Sequence, residues 1–337
     1  TGVDMAKMKT EFLYHYTKKR GLSLHDRLVS YLPRYAPWAA KLGGLLNLRD
    51  KLPGLAKLSE AWLGFSAKRA LPRWRRDHFE CATDAVGPAD GTPVVFLADT
   101  FNRWFEPENA RAAVNVLMAA GYRVHLPTPQ TGSRPLCCGR TFLASGLVDE
   151  AKAEIERTMQ ALAPFLDQGM PVIGLEPSCL FTFRDEVQSL LPGAAADRLA
   201  ESAMLFEEFI ARERAADRFA LDLQPAPFKK ALLHGHCHQK AFAAMSAVES
   251  TLRLIPGLEV ETVASSCCGM AGAFGYRAEN YDISMKMGEM ALLPAMREAG
   301  ADTVLVADGT SCRHQIADGA DKEAVHVARL LEAALPA

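Results

Sequence analysis

The feature that most narrows what this chain can fold into is an internal repeat. Each half carries short apolar runs, a Cys-Cys-Gly triplet and, about forty residues further on, a Ser-Cys pair. The first half supplies Val94–Ala98, Tyr122–Leu126, Cys137-Cys138-Gly139, Pro171–Leu175 and Cys179. The second supplies Lys230–His234, Leu258–Val263, Cys267-Cys268-Gly269, Thr303–Ala307 and Cys312. Alignment puts Thr100 opposite Cys237 and Cys179 opposite Cys312, and Glu176-Pro177-Ser178-Cys179 echoes Gly309-Thr310-Ser311-Cys312. Several of the runs are continuously apolar, as strands buried on both faces of a parallel sheet require. Helical stretches separate them: one after Pro107 to Ala120, 148–167, much of 180–215, one from about 239, and one long helix over 279–298. This alternation predicts an α/β fold of two pseudo-symmetric lobes, each a parallel sheet flanked by helices. The first repeat lobe is expected over 89–225 and the second over 226–337.

Residues 1–88 stand apart as a helical lead-in rich in Lys and Arg, notably Lys18-Lys19-Arg20 and the stretch Lys68 to Arg76. Pro33, Pro37, Pro53 and Pro72 interrupt any long amphipathic face. That favours a segment packed on the main body with its charges solvated over a docking surface for a domain, subunit or anionic membrane. A formal net charge of -2 gives no drive toward nucleic acid. No apolar run approaches the roughly 20 residues that span a bilayer. A cytoplasmic location is expected, with peripheral contact at the inner membrane face left open.

Eight cysteines, at 81, 137, 138, 179, 237, 267, 268 and 312, are too few for a disulfide scaffold and too clustered for scattered core residues. Metal binding is the expected use. Every repeat cysteine falls just beyond the carboxyl end of a strand, where parallel sheets open their binding crevice and helix N-termini point inward. Cys237, Cys267, Cys268 and Cys312 then form a complete set of four thiolates, suited to a [4Fe–4S] cluster or to tetrahedral zinc. Ligands dispersed over large loops favour the cluster. Gly139 and Gly269 let the backbone approach the metal. The first half offers only Cys137, Cys138 and Cys179, with Thr100 where a fourth would stand. Asp99 or Glu176 adds an oxygen ligand, or these cysteines join the second set, or the lobe has lost its metal. His234, His236 and His238 alternate around Cys237, and a turn there lets one of them ligate the metal, tune its potential or relay protons; a supporting or substrate-facing role is expected of His236 and His238, and Lys240 is expected to offset thiolate charge. The loop Gly269 to Tyr276 lacks a dinucleotide-binding register. Cys81 reads as a structural thiol.

These residues resemble the tandem cysteine-rich (CCG) domain of heterodisulfide reductase B-type subunits and of the anaerobic glycerol-3-phosphate dehydrogenase C subunit. The stretches Leu-His-Gly-His-Cys-His-Gln-Lys, Cys-Cys-Gly-Met-Ala-Gly-Ala-Phe-Gly-Tyr and Leu-Glu-Pro-Ser-Cys are most similar to the C-terminal part of FAD-linked D-lactate and D-2-hydroxyacid oxidases. The start, Thr1 to Lys9, resembles the stretch after a ferredoxin-like cluster motif, which would make the chain a piece of a larger enzyme. The resemblance implies an iron–sulfur electron relay. FAD sits on a separate domain or subunit that oxidises a 2-hydroxyacid, ferredoxin-like domains are partners, and a quinone or cytochrome accepts the electrons. It also implies Cys-x-x-Cys ends where this chain has Glu176 and Gly309. One cluster, on Cys237, Cys267, Cys268 and Cys312, is therefore the expected count. Two readings from other classes compete: a zinc-stabilised assembly domain without redox role, and a thiol–disulfide reductase.

Overall fold

The apolar runs form two separate sheets in the computed structural model, which describes residues 3–81 and 83–336. Thr1 and Gly2, with which the stretch resembling a ferredoxin-like motif's flank begins, lie outside the described residues. The first sheet contains β1 (Ala85–Val86), β2 (Thr92–Phe96), β3 (Tyr122–His125), β4 (Val172–Gly174) and β5 (Ala203–Leu205) in the order β1-β3-β2-β4-β5. The second contains β6 (Lys230–Leu233), β7 (Glu259–Thr262), β8 (Thr303–Val306) and β9 (Ala324–Val325) in the order β7-β6-β8-β9. All pairings are parallel except the short edge strand β1. With β1 set aside, the two orders are the same. The repeat is thus a repeat of topology as well as of motif.

Both faces of each central strand are covered, as their apolar runs require. Val94 and Phe96 of β2, Ala231 and Leu233 of β6, and Val304 and Val306 of β8 point into one core shared by both sheets. Their alternates, Val95 on β2, Leu232 on β6 and Leu305 on β8, point outward to separate cores. Helices of both halves fill the shared core: Val116 and Leu117, Phe206 and Phe209, Val248 and Leu252, Val327 and Leu331. The central layer therefore joins the lobes by apolar packing.

The lead-in is helical at Met5–Arg20, Leu24–Ser30, Leu32–Lys41, Gly43–Leu46 and Leu55–Leu63. It runs across both halves. Ser30 accepts from Thr141 at 2.9 Å, and Arg34 pairs with Glu150 and Glu154 in the first. Ser66 N–H donates to Tyr276 O at 2.8 Å, and Ala278 N–H donates to Gly64 O at 2.9 Å in the second. Several of its cations are not merely solvated: the Arg69 side chain is 0% exposed and pairs with Asp318. Ala36 and Ala40 pack against Trp104 and Phe105, whereas Trp38, Leu45 and Trp62 are exposed.

Two expectations are corrected. The long helix over 279–298 is broken into Tyr281–Glu289 and Leu292–Glu298, because Pro294 has no N–H with which to bond the carbonyl a turn earlier. Pro37 lies inside Leu32–Lys41 without ending that helix. The helices over 180–215 are separated by β5. The edge strands β1 and β9, two residues each, carry no period that sequence can reveal.

Candidate metal centre

The four second-half cysteines leave the sheet by three routes. Cys237 is the first residue of helix Cys237–Ala241 after β6, Cys267 and Cys268 lie in the loop after β7, and Cys312 is the third residue of helix Thr310–Ala320 after β8. Their side chains neighbour one another in succession, Cys237 beside Cys267, Cys267 beside Cys268 and Cys268 beside Cys312. Sharing and burial divide the protons unequally. Hydrogen bonds from Cys237 and Cys268 hold the Cys267 thiol down to about 2, and one from Cys268 holds Cys312 well below the usual thiol range. Cys237 and Cys268 are correspondingly raised. Backbone N–H groups also face the sulfurs, Gly269 N lying 3.3 Å from Cys267 Sγ. The array is therefore built to carry negative charge on soft donors, which fits a thiolate-bound metal. Cys268 and Cys312 are buried, Cys267 is half-buried and Cys237 is exposed at the rim.

Gly269 takes φ +93°, and a Cβ there would lie 2.3 Å from Ser284 O in the following helix. Gly139 repeats the device: φ +80°, with the Ala151 carbonyl 2.9 Å from such a Cβ. Only glycine permits both the conformation and the close approach.

In the first half, Cys137, Cys138 and Cys179 are all buried and line a cavity of about 20 Å3 with Asp99 and Glu176. Burial and mutual contact push Cys137 and Cys138 well up, and Cys179 stands at about 12. Both carboxylates already accept hydrogen bonds. Asp99 Oδ1 accepts from Phe101 N and Asn102 N as the cap of helix Thr100–Trp104. Glu176 accepts from Ser178 Oγ and, across the lobes, from Thr310 N at 2.9 Å. Thr100 begins the helix after β2 as Cys237 begins the helix after β6. The first half thus gathers three thiols, with Asp99 and Glu176 as the oxygen donors lining the same cavity.

His236 caps helix Cys237–Ala241: its Nδ1 accepts from His238 N at 3.1 Å, while Gln239 Oε1 accepts from His236 N. His238 turns toward the first half, its Nε2 lying 3.5 Å from Arg140 beside Gly139, and burial pushes its pKa down to about 4. Lys240 Nζ donates to the carbonyls of Ser265 and Ser266, so it clamps the loop ahead of Cys267 while the four thiols surround its charge. Sequence reasoning noted His234 among the three histidines but favoured His236 and His238. This buried residue places a ring nitrogen within 4.8 Å of both Cys268 Sγ and Cys312 Sγ. The signal was available, since His234 ends the β6 run and Cys312 follows the paired strand β8. Cys81 is half-buried and packs against the shared core, away from both arrays.

Comparison with known proteins agrees with this geometry. Residues 231–317 match the CCG cysteine-rich domain. Across 93% of its length the chain is 28% identical to the C subunit of anaerobic glycerol-3-phosphate dehydrogenase from Escherichia coli (strain K12), spanning 78% of that protein. It is 24% identical to D-2-hydroxyglutarate dehydrogenase of the same organism, spanning 31% of that longer protein. Lactate utilization protein A of Bacillus velezensis is 25% identical over 67% of this chain and 93% of its own. The homologues are thus dehydrogenases, a dehydrogenase subunit and a lactate utilization protein.

Proposed function

Taking residues 231–317 as a CCG cysteine-rich domain in a component of an oxidoreductase, we propose that the chain is the iron–sulfur electron-transfer module of a flavin-dependent dehydrogenase. The observation that carries this reading is the convergence of Cys237, Cys267, Cys268 and Cys312 from three loops at the carboxyl ends of β6, β7 and β8. A cluster bound there stores and releases single electrons. The chain's own residues do the rest. Four sulfurs hold the centre, the amide of Gly269 and the Lys240 ammonium temper its negative charge, and the shared core keeps both lobes rigid around it. The exposed side of Cys237 is the side from which an electron would enter or leave.

The D-2-hydroxyglutarate and lactate names of the relatives support a 2-hydroxyacid as the ultimate reductant, oxidised on an FAD domain or subunit, with a quinone or cytochrome as acceptor. Glycerol-3-phosphate is the competing substrate class. We keep 1–88, 89–225 and 226–337 as the division into lead-in and two lobes. No helix among the described residues is long and apolar enough to cross a membrane. The exposed Trp38, Leu45 and Trp62 of the lead-in support peripheral contact with a partner or a membrane face.

Anaerobic preparation tests the proposal. The protein is expected to carry iron and acid-labile sulfide and to give an EPR signal on reduction. Cys267→Ser should lose most of that iron, whereas Cys81→Ser should retain it. Stoichiometric zinc without iron, or equal loss in both variants, overturns the assignment.

A further inference from the structure

We infer that His234 is a ligand of the second-lobe metal centre through Nε2, beside Cys268 and Cys312. The inference rests on the proposal that this site holds a metal centre, and it deepens it by adding an imidazole to an all-thiolate set.

Position comes first. One His234 ring nitrogen and the sulfurs of Cys268 and Cys312 lie within 4.8 Å of one another, and all three residues are buried. Two donors on one metal ion stand about 3–4 Å apart at ordinary bond lengths, so small side-chain rotations bring this trio onto a common centre. The backbone of His234 is held by the sheet, its N–H donating to Val306 O at 2.8 Å. The ring is therefore launched from a rigid element, as a ligand should be.

The two ring nitrogens are placed differently. Nδ1 lies 2.9 Å from Ser265 Oγ, and with the ring proton on Nδ1 and donated to that oxygen, Nε2 keeps a lone pair. Nε2 is buried with no hydrogen-bond partner among the described residues. Leaving a buried acceptor unmatched costs about 1–3 kcal/mol, and a metal ion matches it. A metal-bound histidine characteristically donates its other N–H to an oxygen that fixes its orientation. Ser265 is placed to be that oxygen. One nitrogen of each neighbouring histidine is engaged, His236 Nδ1 by the helix cap and His238 Nε2 by Arg140, and both rings stand beside Cys237.

Nitrogen spectroscopy on reduced, anaerobically prepared protein carrying 15N-labelled histidine tests this. Pulsed EPR should show one strongly coupled 15N nucleus in the wild type. His234→Cys, which keeps a donor at the position, should retain iron, lose the 15N coupling and shift the midpoint potential downward, because imidazole ligation raises potentials relative to thiolate. His234→Ala should lose the coupling together with part of the iron. A cluster without strong nitrogen coupling in the wild type, or coupling that survives in His234→Cys, overturns the role of His234 and leaves the proposed function standing. A wild-type protein with no cluster overturns both.

Discussion

A second buried group of donors shows how single residues decide what a cluster of polar side chains can do. Glu207, Asp308 and His326 are all fully buried and lie within 4.8 Å of one another between the lobes. They resemble a metal site and are not one. His326 Nδ1 accepts from Ala328 N at 3.1 Å, so its Nε2 carries the hydrogen and has no lone pair to give. Asp308 is bound by Gln239 Nε2 at 2.7 Å and by Val327 N. Glu207 has no partner at either oxygen. Burial first, then the charge of Asp308, raises its pKa well above the ordinary 4.5. A carboxyl raised in the folded state keeps its proton after the unfolded chain has lost it. Below about pH 4.5 this costs nothing. Above it, the folded state is penalised by about 1.4 kcal/mol per pH unit until the folded pKa is reached. Glu207→Gln should therefore leave Tm almost unchanged at pH 4 and raise it at pH 8. An equal shift at both pH values would show that Glu207 is not held neutral.

Among the elements, helix Thr310–Ala320 carries the most. Gly309 has no side chain to cap it, and the cap comes from the other half as Glu176, which accepts from Thr310 N. Glu106, also from the first half, accepts from Thr310 Oγ1 at 2.9 Å and from Arg313, whose guanidinium is almost fully enclosed. The helix that presents Cys312 is thus oriented by first-half carboxylates. Removing the anion from a buried pair leaves the cation uncompensated. Glu106→Gln should cost about 3 kcal/mol in urea unfolding, and a loss below about 0.5 kcal/mol would place this pair with inconsequential surface bridges. In the first half, Thr100 replaces a thiol and Glu176 caps a neighbour. Both departures from the repeat are visible in sequence, yet their meaning is not, because the partner of Glu176 lies 134 positions away.

At the scale of the whole molecule, the lead-in is a strap across both lobes. Arg69 is enclosed and paired with Asp318, close to the backbone bonds Ser66–Tyr276 and Ala278–Gly64. If the strap acts as one unit, Arg69→Ala should speed amide hydrogen exchange at Ser66 and Ala278 together, while amides in β6 and β8 stay protected. Acceleration at Ser66 alone would make the contact merely local. The repeat, the strands and the convergence of Cys237, Cys267, Cys268 and Cys312 were legible in the chain itself, because parallel strands need continuous apolar runs and their loops gather at one end. Local periodicity could not show that one core serves both sheets, nor that the first-half carboxylates were already committed to caps. It also could not decide which of three neighbouring histidines lies beside Cys268 and Cys312. Those outcomes depend on contacts between residues far apart in sequence. Only folding decides where a ring nitrogen such as that of His234 is left without a partner.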